Sequence, residues 1–159
     1  MLTSSGTGGL EAAVANTISP GDRVLSLSIG NFGERLRTLA RIHGAQVTAL
    51  DAPAGQPIDV SQVRQALHDN PPFHAVLVTH NETSTGVTNP MREIALAVND
   101  LGEVRPLTIV DAVSGVGCLP LPMDELGLDV VVSGSQKAWG LPPGPVSYTH
   151  LTLPTSDLV

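Results

Sequence analysis

The sequence predicts an α/β fold with a mostly parallel sheet, on the basis of its composition, its short apolar runs and the amphipathic segments between those runs. Of the 159 residues, 42% are hydrophobic and 14% are charged, which suits a folded α/β protein better than a disordered chain. A chain of this length hides roughly two thirds of its unfolded surface on folding, so it can build one sizeable core. We therefore expect one domain.

Strand-like and helix-like segments alternate along the chain. The predicted strands are short runs rich in Val, Ile and Leu, typical of buried parallel strands. They are residues 23–29, 46–50, 75–79, 107–110 and 130–133. The predicted helices space their apolar residues three or four apart. They are residues 9–17, 33–43, 60–69 and 91–101. Pro20-Gly21, Gly44 and Gly102 mark the ends of three helices, because proline cannot continue a helix and glycine adopts the conformation that ends one.

The charge balance and the single cysteine limit the kinds of partner. A formal net charge of -7 with only 8 Lys and Arg argues against binding to nucleic acid or to an anionic membrane surface. Cys118 cannot form an internal disulfide, and the first residues lack the pattern of a signal peptide, so we expect a cytoplasmic location. No run of about 18 apolar residues occurs, so no membrane span is predicted.

The two ends of the sequence predict a fragment of a longer protein. A glycine-rich turn at residues 4–8 comes almost at the start, and the last chemical motif comes close to the end. The segment 146–159, VSYTHLTLPTSDLV, has threonines and prolines that predict neither a buried strand nor a helix face, and it resembles the translation of a sequencing adapter. A genuine loop and tail is the alternative. We assign residues 1–145 to a partial domain and 146–159 to a non-native tail that contributes nothing specific to the fold.

The glycine-rich turn Ser5-Gly6-Thr7-Gly8-Gly9 leads directly into the first predicted helix. Free backbone N–H groups and the positive end of the helix dipole would face an anion there, which makes the turn a candidate phosphate site. The dinucleotide pattern G-x-G-x-x-G fails because Glu11 stands at its third glycine, and no Gly-Lys-Ser/Thr follows as in a P-loop. A glycine turn capped by Ser5 or Thr7 remains the alternative.

Asp111 and Lys137 are the two residues whose positions indicate catalysis. Asp111 ends an apolar strand, at the edge where open parallel sheets bind ligands, although an aspartate there also commonly caps a turn. Lys137 follows a predicted buried strand and a turn of small residues in a region with no other positive charge. A lysine amine whose pKa is lowered attacks aldehydes, so Lys137 is a candidate Schiff-base lysine. The alternative is a solvated surface lysine.

Four other residues carry weaker signals. We interpret His80 and Glu82 as turn residues, because two donors without a third make a poor zinc site. Cys118 is expected to be a small buried residue and not a nucleophile. Trp139 is interpreted as a packing residue that could also shape a pocket.

Ordered motifs over roughly residues 3–144 resemble the alanine–glyoxylate and serine–pyruvate aminotransferases, which are class V enzymes dependent on pyridoxal 5'-phosphate (PLP). The motifs are SSGTGGLEAAVAN, IGNFGERL, VTHNETSTGV, IVDAVSGVG and LPMDELGLDVVVSGSQKAWGLPPG. Related cysteine desulfurases carry histidine before the lysine, whereas Gln136 stands there in this chain. The resemblance implies part of the large domain of a fold-type I PLP-dependent transferase, a three-layer fold around a mostly parallel sheet.

The resemblance also implies a role for each site residue at the phosphate end of the cofactor. Ser5, Gly6 and Thr7 would donate hydrogen bonds to the phosphate. Gln136 would lie beside the phosphate, and Lys137 would carry the cofactor as a Schiff base.

At the ring end, the resemblance implies that Phe32 stacks on the pyridine ring and that Val113 packs against it. Asp111 would pair with the protonated ring nitrogen and strengthen the cofactor as an electron sink. Thr83 would lie near the phenolic oxygen and the substrate. No metal is implied.

The activity implied for the full-length protein is transfer of an amino group from a small amino acid, alanine or serine, to a 2-oxo acid such as glyoxylate or pyruvate. The enzyme would be a homodimer, and its substrate-carboxylate arginine and part of its phosphate site would lie outside this chain, so we expect the chain alone to be inactive. One alternative is a non-catalytic α/β module that binds a phosphorylated metabolite. Another is a class V lyase or desulfurase, against which Gln136 and the lack of a mobile catalytic cysteine argue.

Overall fold

The computed structural model describes residues 2–70 and 72–150. Its strands, in chain order, are β1 (Leu2–Thr3), β2 (Arg23–Ser28), β3 (Gln46–Asp51), β4 (Ala75–Thr79), β5 (Asn81–Glu82), β6 (Val87–Thr88), β7 (Leu107–Asp111), β8 (Val130–Gly134) and β9 (Pro145–His150). Its α-helices are α1 (Gly6–Thr17), α2 (Asn31–Ile42), α3 (Val60–Asp69), α4 (Met91–Asn99) and α5 (Met123–Leu126), and a short 3-10 helix covers Gly102–Val104.

A seven-stranded sheet organises the fold, in the order β1-β9-β8-β7-β4-β2-β3. The five strands from β8 to β3 run parallel to one another. At the other edge β9 is antiparallel to both β8 and β1. A two-stranded antiparallel hairpin, β5 with β6, follows β4. The predicted mostly parallel α/β sheet is therefore confirmed.

Helices cover both faces of this sheet, so the fold has three layers. Successive residues of one strand belong to different cores: Leu77 packs with α1 and α2, whereas Val76 and Val78 pack with α3 and α4. This alternation follows from the pleat, which points neighbouring side chains to opposite faces. Because β4 and β8 are buried along their whole length, these two strands are mostly apolar. In the part of the chain that the structure describes, no helix is both long and apolar enough to cross a membrane.

The predicted strands and helices all form, with small shifts at their ends. The largest shift is at α1, which begins at Gly6 and not at residue 9, because Ser5 caps the helix and its Oγ accepts from Gly8 N at 3.4 Å. The elements that sequence analysis missed are short or lie at a sheet edge. They are β1, the β5–β6 hairpin, the 3-10 helix, α5 and β9.

The expectation that the segment 146–159 forms no strand is wrong for residues 146–150. These residues belong to β9, which pairs with β8 from Val130↔His150 to Gly134↔Val146. Sheet pairing uses backbone N–H and C=O groups, so a segment without an apolar run can still join an edge, and Val, Tyr and Thr suit strands. Residues 151–159 lie outside the described residues. The assignment of 146–159 to a non-native tail stays a prediction.

Candidate active site

One pocket lies where the carboxyl ends of β7 and β8 meet the N-terminal ends of α1 and α2. Its lining residues are Ser5, Gly6, Thr7, Leu10, Phe32, Arg35, Asn81, Thr83, Asp111, Val113, Ser114, Gln136 and Lys137. The set includes all nine residues that the sequence predicted for a cofactor site. Leu10, Arg35, Asn81 and Ser114 are additions that the sequence analysis missed. The structure thus brings the predicted residues together, and their individual roles stay predictions.

The N-terminal end of α1 forms one wall of the pocket. A Cβ on Gly6 would lie 3.0 Å from the side chain of Val113, so glycine lets the helix start close to the loop after β7. The first turn of α1 holds no acidic side chain. Among the described residues, no acceptor binds the backbone N–H of Gly6 or Thr7. Unpaired N–H groups at the positive end of a helix dipole favour an anion.

Asp111 forms the floor of the pocket at the end of β7, and its side chain is buried, with 4% of the residue exposed. Burial raises the pKa of Asp111 to about 6, although a hydrogen bond from Val113 N to Oδ1 at 3.1 Å lowers the pKa. Repulsion from Glu82 raises the pKa further, and attraction to Arg35 lowers it. The Val113 hydrogen bond is the turn-capping role considered above, so Asp111 both caps a turn and faces the pocket. A cation in the pocket would favour its ionised form.

Lys137 and Gln136 reach the pocket from the turn after β8, and both are exposed. The turn is closed by hydrogen bonds from Lys137 N to Gly134 O at 3.3 Å and from Gly140 N to Lys137 O at 3.0 Å. Lys137 is the only lysine in the sequence. The primary amine of Lys137 and the buried carboxyl of Asp111 therefore line the same pocket.

Phe32 and Arg35 enter the pocket from the first turns of α2. The Arg35 guanidinium lies over the Phe32 ring, 5.1 Å from its centre, and Nη1 donates to Thr7 Oγ1 at 3.2 Å. Sequence analysis missed Arg35, because the predicted helix began at residue 33; in the structure α2 begins at Asn31, so Phe32 and Arg35 share one helix face.

Asn81 and Ser114 close the side of the pocket next to Thr83. Asn81 Nδ2 donates to Ser114 Oγ at 3.1 Å, and Ser114 Oγ donates to Asn81 O at 2.9 Å. The bonds join the β5–β6 hairpin to the loop after β7. Both residues lie beside predicted site residues in their motifs, and that proximity was the available signal.

The interpretation as a turn residue is wrong for Glu82, whereas His80 lies in the bend between β4 and β5. His80 is buried directly after β4, and burial lowers its pKa. Glu82 belongs to β5 and is fully buried, whereas the turn of the hairpin lies at residues 83–86. Across residues 2–70 and 72–150, no three His, Cys, Asp or Glu side chains are grouped so that they could hold a metal ion.

Cys118 and Trp139 also differ from expectation. Cys118 is exposed. It follows Gly117, which has a positive φ of 93°. Trp139 is 53% exposed and does not line the pocket, although its Nε1 donates to Ser133 Oγ at 2.8 Å. Adjacency to Lys137 in sequence does not bring Trp139 into the pocket, since the chain turns between them.

Comparison with known proteins identifies the family. Residues 1–144 match the sequence profile described as aminotransferase class-V. The fold is that of fold-type I PLP-dependent aminotransferases: the crystal structure of an alanine–glyoxylate aminotransferase from Nostoc sp. superposes with a TM-score of 0.88 and 33% identity, over 95% of this chain and 39% of that one. The chain belongs to the class V aminotransferase family, as its motifs predicted.

Two curated relatives illustrate the range of names in this family. The soluble hydrogenase 42 kDa subunit of Anabaena cylindrica is 47% identical over 146 residues, which is 91% of this chain and 38% of that protein. The L-aspartate–glyoxylate aminotransferase of Paracoccus denitrificans is 39% identical over 149 residues, again 91% of this chain and 37% of that protein. The chain thus spans less than two fifths of the length of these relatives.

The family implies PLP as the cofactor, and the donors in the pocket fit this group. A phosphate requires N–H and hydroxyl donors, which the start of α1 supplies at Ser5, Gly6 and Thr7. A protonated pyridine nitrogen requires an acidic partner, and Asp111 is a buried carboxyl that a cation would ionise. A covalent attachment requires an amine, and Lys137 is the one lysine present.

Proposed function

We propose that the full-length protein containing this chain is a PLP-dependent aminotransferase. It moves an amino group from a small amino acid, alanine or serine, to a 2-oxo acid such as glyoxylate or pyruvate. The observation that carries the proposal is the shared pocket of Lys137, Asp111 and the N-terminal end of α1. Relatives named as glyoxylate aminotransferases with aspartate, serine or alanine as donor support the substrate class.

When bound, PLP supplies an electron-withdrawing ring that stabilises negative charge at the reacting carbon of the amino acid. Asp111 serves this chemistry by holding a proton on the ring nitrogen. Its burial means that few water molecules compete for the carboxyl, so the interaction with a cation is strong. The hydrogen bond from Val113 N fixes the direction of the carboxyl.

Lys137 has two tasks in the proposed reaction. Its Nζ would hold the cofactor covalently, and as a free amine it would take up the proton of the substrate Cα and give it back. The turn that carries Lys137 is closed by hydrogen bonds at Gly134 and Gly140, and the residue is exposed.

The remaining residues orient the cofactor. Ser5, Gly6, Thr7 and Gln136 would hold the phosphate, and Phe32 and Val113 would pack against the ring. Thr83 stands on the hairpin turn and lines the pocket, and it would lie near the phenolic oxygen and the substrate.

The proposal extends to assembly and location. The full-length protein forms a homodimer, whose partner subunit completes the phosphate site, and works in the cytoplasm. The family resemblance supports the dimer, and the single cysteine supports a reducing compartment. The chain alone is expected to be inactive, because the arginine that binds the substrate carboxylate lies elsewhere in the protein.

Covalent labelling tests the proposal. The full-length protein is incubated with PLP, reduced with borohydride and digested, and mass spectrometry locates the phosphopyridoxyl group. We expect it on Lys137, with turnover lowered at least about 1,000-fold in Lys137→Ala. Lys137→Arg is the matched control, since it keeps the positive charge but not the primary amine, and it should be equally inactive.

The same experiment separates this function from the alternatives. Reduction that labels no lysine of the full-length protein would favour a non-catalytic module binding a phosphorylated metabolite. Labelling of Lys137 without transfer between any amino acid and 2-oxo acid would favour a lyase of the same family.

A further inference from the structure

The N-terminal end of α2 is capped by a segment about fifty residues away. Gly30 precedes the helix and has no side chain with which to cap it. Instead, Glu82 Oε2 accepts from Phe32 N at 2.9 Å and from Gly33 N at 3.0 Å. Ser84 Oγ accepts from Asn31 N at 3.1 Å. The β5–β6 hairpin therefore binds the first three N–H groups of α2, which a helix leaves without partners of its own.

Glu82 is fully buried, and hydrogen bonds occupy both of its oxygens. Besides the two bonds to α2, Oε1 accepts from Ser84 N at 3.2 Å and from Ser84 Oγ at 2.7 Å. Both oxygens act only as acceptors, which suits a carboxylate at the positive end of a helix dipole. This arrangement needs glycine at position 30, because a Cβ there would lie 2.6 Å from Glu82 Cγ and 2.7 Å from Ser84 Oγ.

The two elements that Glu82 joins are two walls of the pocket. The start of α2 carries Phe32 and Arg35, and the hairpin carries Asn81 and Thr83. Among the described residues, Glu82 does not line the pocket itself. Its hydrogen bonds instead fix the start of α2, and with it the Phe32 ring, relative to Thr83.

We propose that Glu82 is a positioning residue, whose side chain holds the aromatic wall at Phe32 in register with the hairpin wall at Thr83 around the bound cofactor. The inference rests on the proposed function, because the relative position of Phe32 and Thr83 matters for catalysis only if a cofactor ring binds between them. Since the carboxylate replaces a local helix cap, its loss should loosen α2 at the end that faces the pocket.

Glu82→Gln tests this inference in the full-length protein. The amide keeps the shape but turns an NH2 donor towards N–H groups, so one pair of hydrogen bonds is lost. In the cofactor-free protein, the backbone amides on the side that loses its acceptor, either Phe32 and Gly33 or Ser84, should exchange hydrogen about ten-fold faster. In the loaded protein, the circular dichroism of the bound cofactor should change, and kcat should fall more than KM rises.

Asp59→Ala is the matched control. Asp59 caps α3 on the opposite face of the sheet, where its Oδ1 accepts from Ser61 N at 2.8 Å. Losing this cap should lower thermal stability but leave the exchange of Phe32 and Gly33 and the cofactor dichroism as in the wild type. Equal effects of Asp59→Ala and Glu82→Gln on the cofactor dichroism would overturn the inference, because a general loss of stability would then explain both.

Wild-type exchange and dichroism in Glu82→Gln would also overturn the inference. If that variant does not fold, Ser84→Ala decides, since it removes the acceptor of Asn31 N and one bond to Glu82 while keeping the carboxylate. Faster exchange at Asn31 with altered dichroism would support the inference, and unchanged values would overturn it. Failure of the proposed function has a different signature, because the wild-type protein would then take up no borohydride-reducible cofactor.

Discussion

The guanidinium of Arg35 lies over the ring of Phe32, with its Cζ 5.1 Å from the ring centre. Its Nη1 also donates to Thr7 Oγ1, so one side chain connects the first turns of α2 and α1. A positive charge is thereby held between the predicted ring-stacking residue and the predicted phosphate site. The attraction of Arg35 for Asp111 reaches across the pocket, since it lowers the pKa of that carboxyl.

Arg35→Ala should weaken PLP binding about five-fold, which corresponds to about 1 kcal/mol for an exposed charge near a phosphate. The loss should shrink at high salt, because salt screens exposed charges. Absorbance titration of the cofactor-free protein measures the affinity. Arg41→Ala is the control, because Arg41 lies on the same helix and pairs with Glu34 away from the pocket. Equal affinities in the two variants would contradict a role for Arg35 at the cofactor.

The raised pKa of Asp111 predicts a pH-dependent stability in the cofactor-free protein. With a pKa of about 6 in place of 3.8, the folded state binds this proton more tightly than the unfolded chain does. Stability should therefore fall as pH rises from about 4 to about 6. Asp111→Asn removes the effect and keeps an oxygen for Val113 N. Over that interval, the free energy of unfolding of the variant should rise by up to about 3 kcal/mol relative to that of the wild type. Denaturant unfolding measures this difference.

Asp59 provides a control of opposite sign. Hydrogen bonds from the Ser61 side chain and backbone lower the pKa of Asp59, so its contribution to stability is present at neutral pH and is lost as pH falls through the lowered pKa. Asp59→Asn should lose stability relative to the wild type as pH rises from the lowered pKa of Asp59 to 3.8, and the difference should stay constant above that, where the effect of Asp111 begins. If the difference in free energy of unfolding between the wild type and Asp111→Asn does not depend on pH, then the Asp111 carboxyl is not buried as the structure has it.

In the loaded enzyme, Asp111→Asn should lower turnover far more than it lowers cofactor affinity. An amide fills the same space but cannot balance the positive charge of a protonated ring nitrogen, so kcat should fall at least about 100-fold. Cofactor affinity should change much less, because the phosphate end and Lys137 are intact. Steady-state kinetics and absorbance titration measure the two quantities. Near-normal turnover would remove Asp111 from the proposed role.

Arg37 should be required for stability and not for chemistry. It is buried, with 5% exposed, and ties α2 to β2 and β3: Nε donates to Ser26 Oγ at 3.1 Å, Nη1 pairs with Glu34 at 2.7 Å, and Nη2 pairs with Asp51. Arg37→Ala leaves a cavity and removes these bonds, although Glu34 and Asp51 stay solvated, and should cost about 2 kcal/mol.

Arg41→Ala is again the comparison for Arg37, since its exposed pair with Glu34 should contribute less than about 1 kcal/mol. Denaturant unfolding of the full-length variants measures both losses. Similar small losses would show that the Arg37 network adds no net stability.

Much of the fold follows from periodicity alone. Residues 75–79 and 60–69 were predicted with the same ends as β4 and α3, because a buried apolar run and an amphipathic repeat report local burial directly. The β5–β6 hairpin escaped prediction because two-residue strands carry no period. Strand β9 escaped because its place in the sheet depends on an unpaired edge of β8, which the sequence of residues 145–150 does not encode.

The sequence by itself determined the family and the residue types of the pocket. Ordered motifs keep Ser5, Asp111 and Lys137 at strand and helix ends, and a parallel sheet brings those ends together at one edge. Only the tertiary structure decided how the walls of that pocket are held. The bonds from Glu82 to the start of α2 and from Arg35 to Thr7 join residues 28 to 50 positions apart. Local patterns cannot indicate such contacts, because they depend on where the folded sheet places each loop.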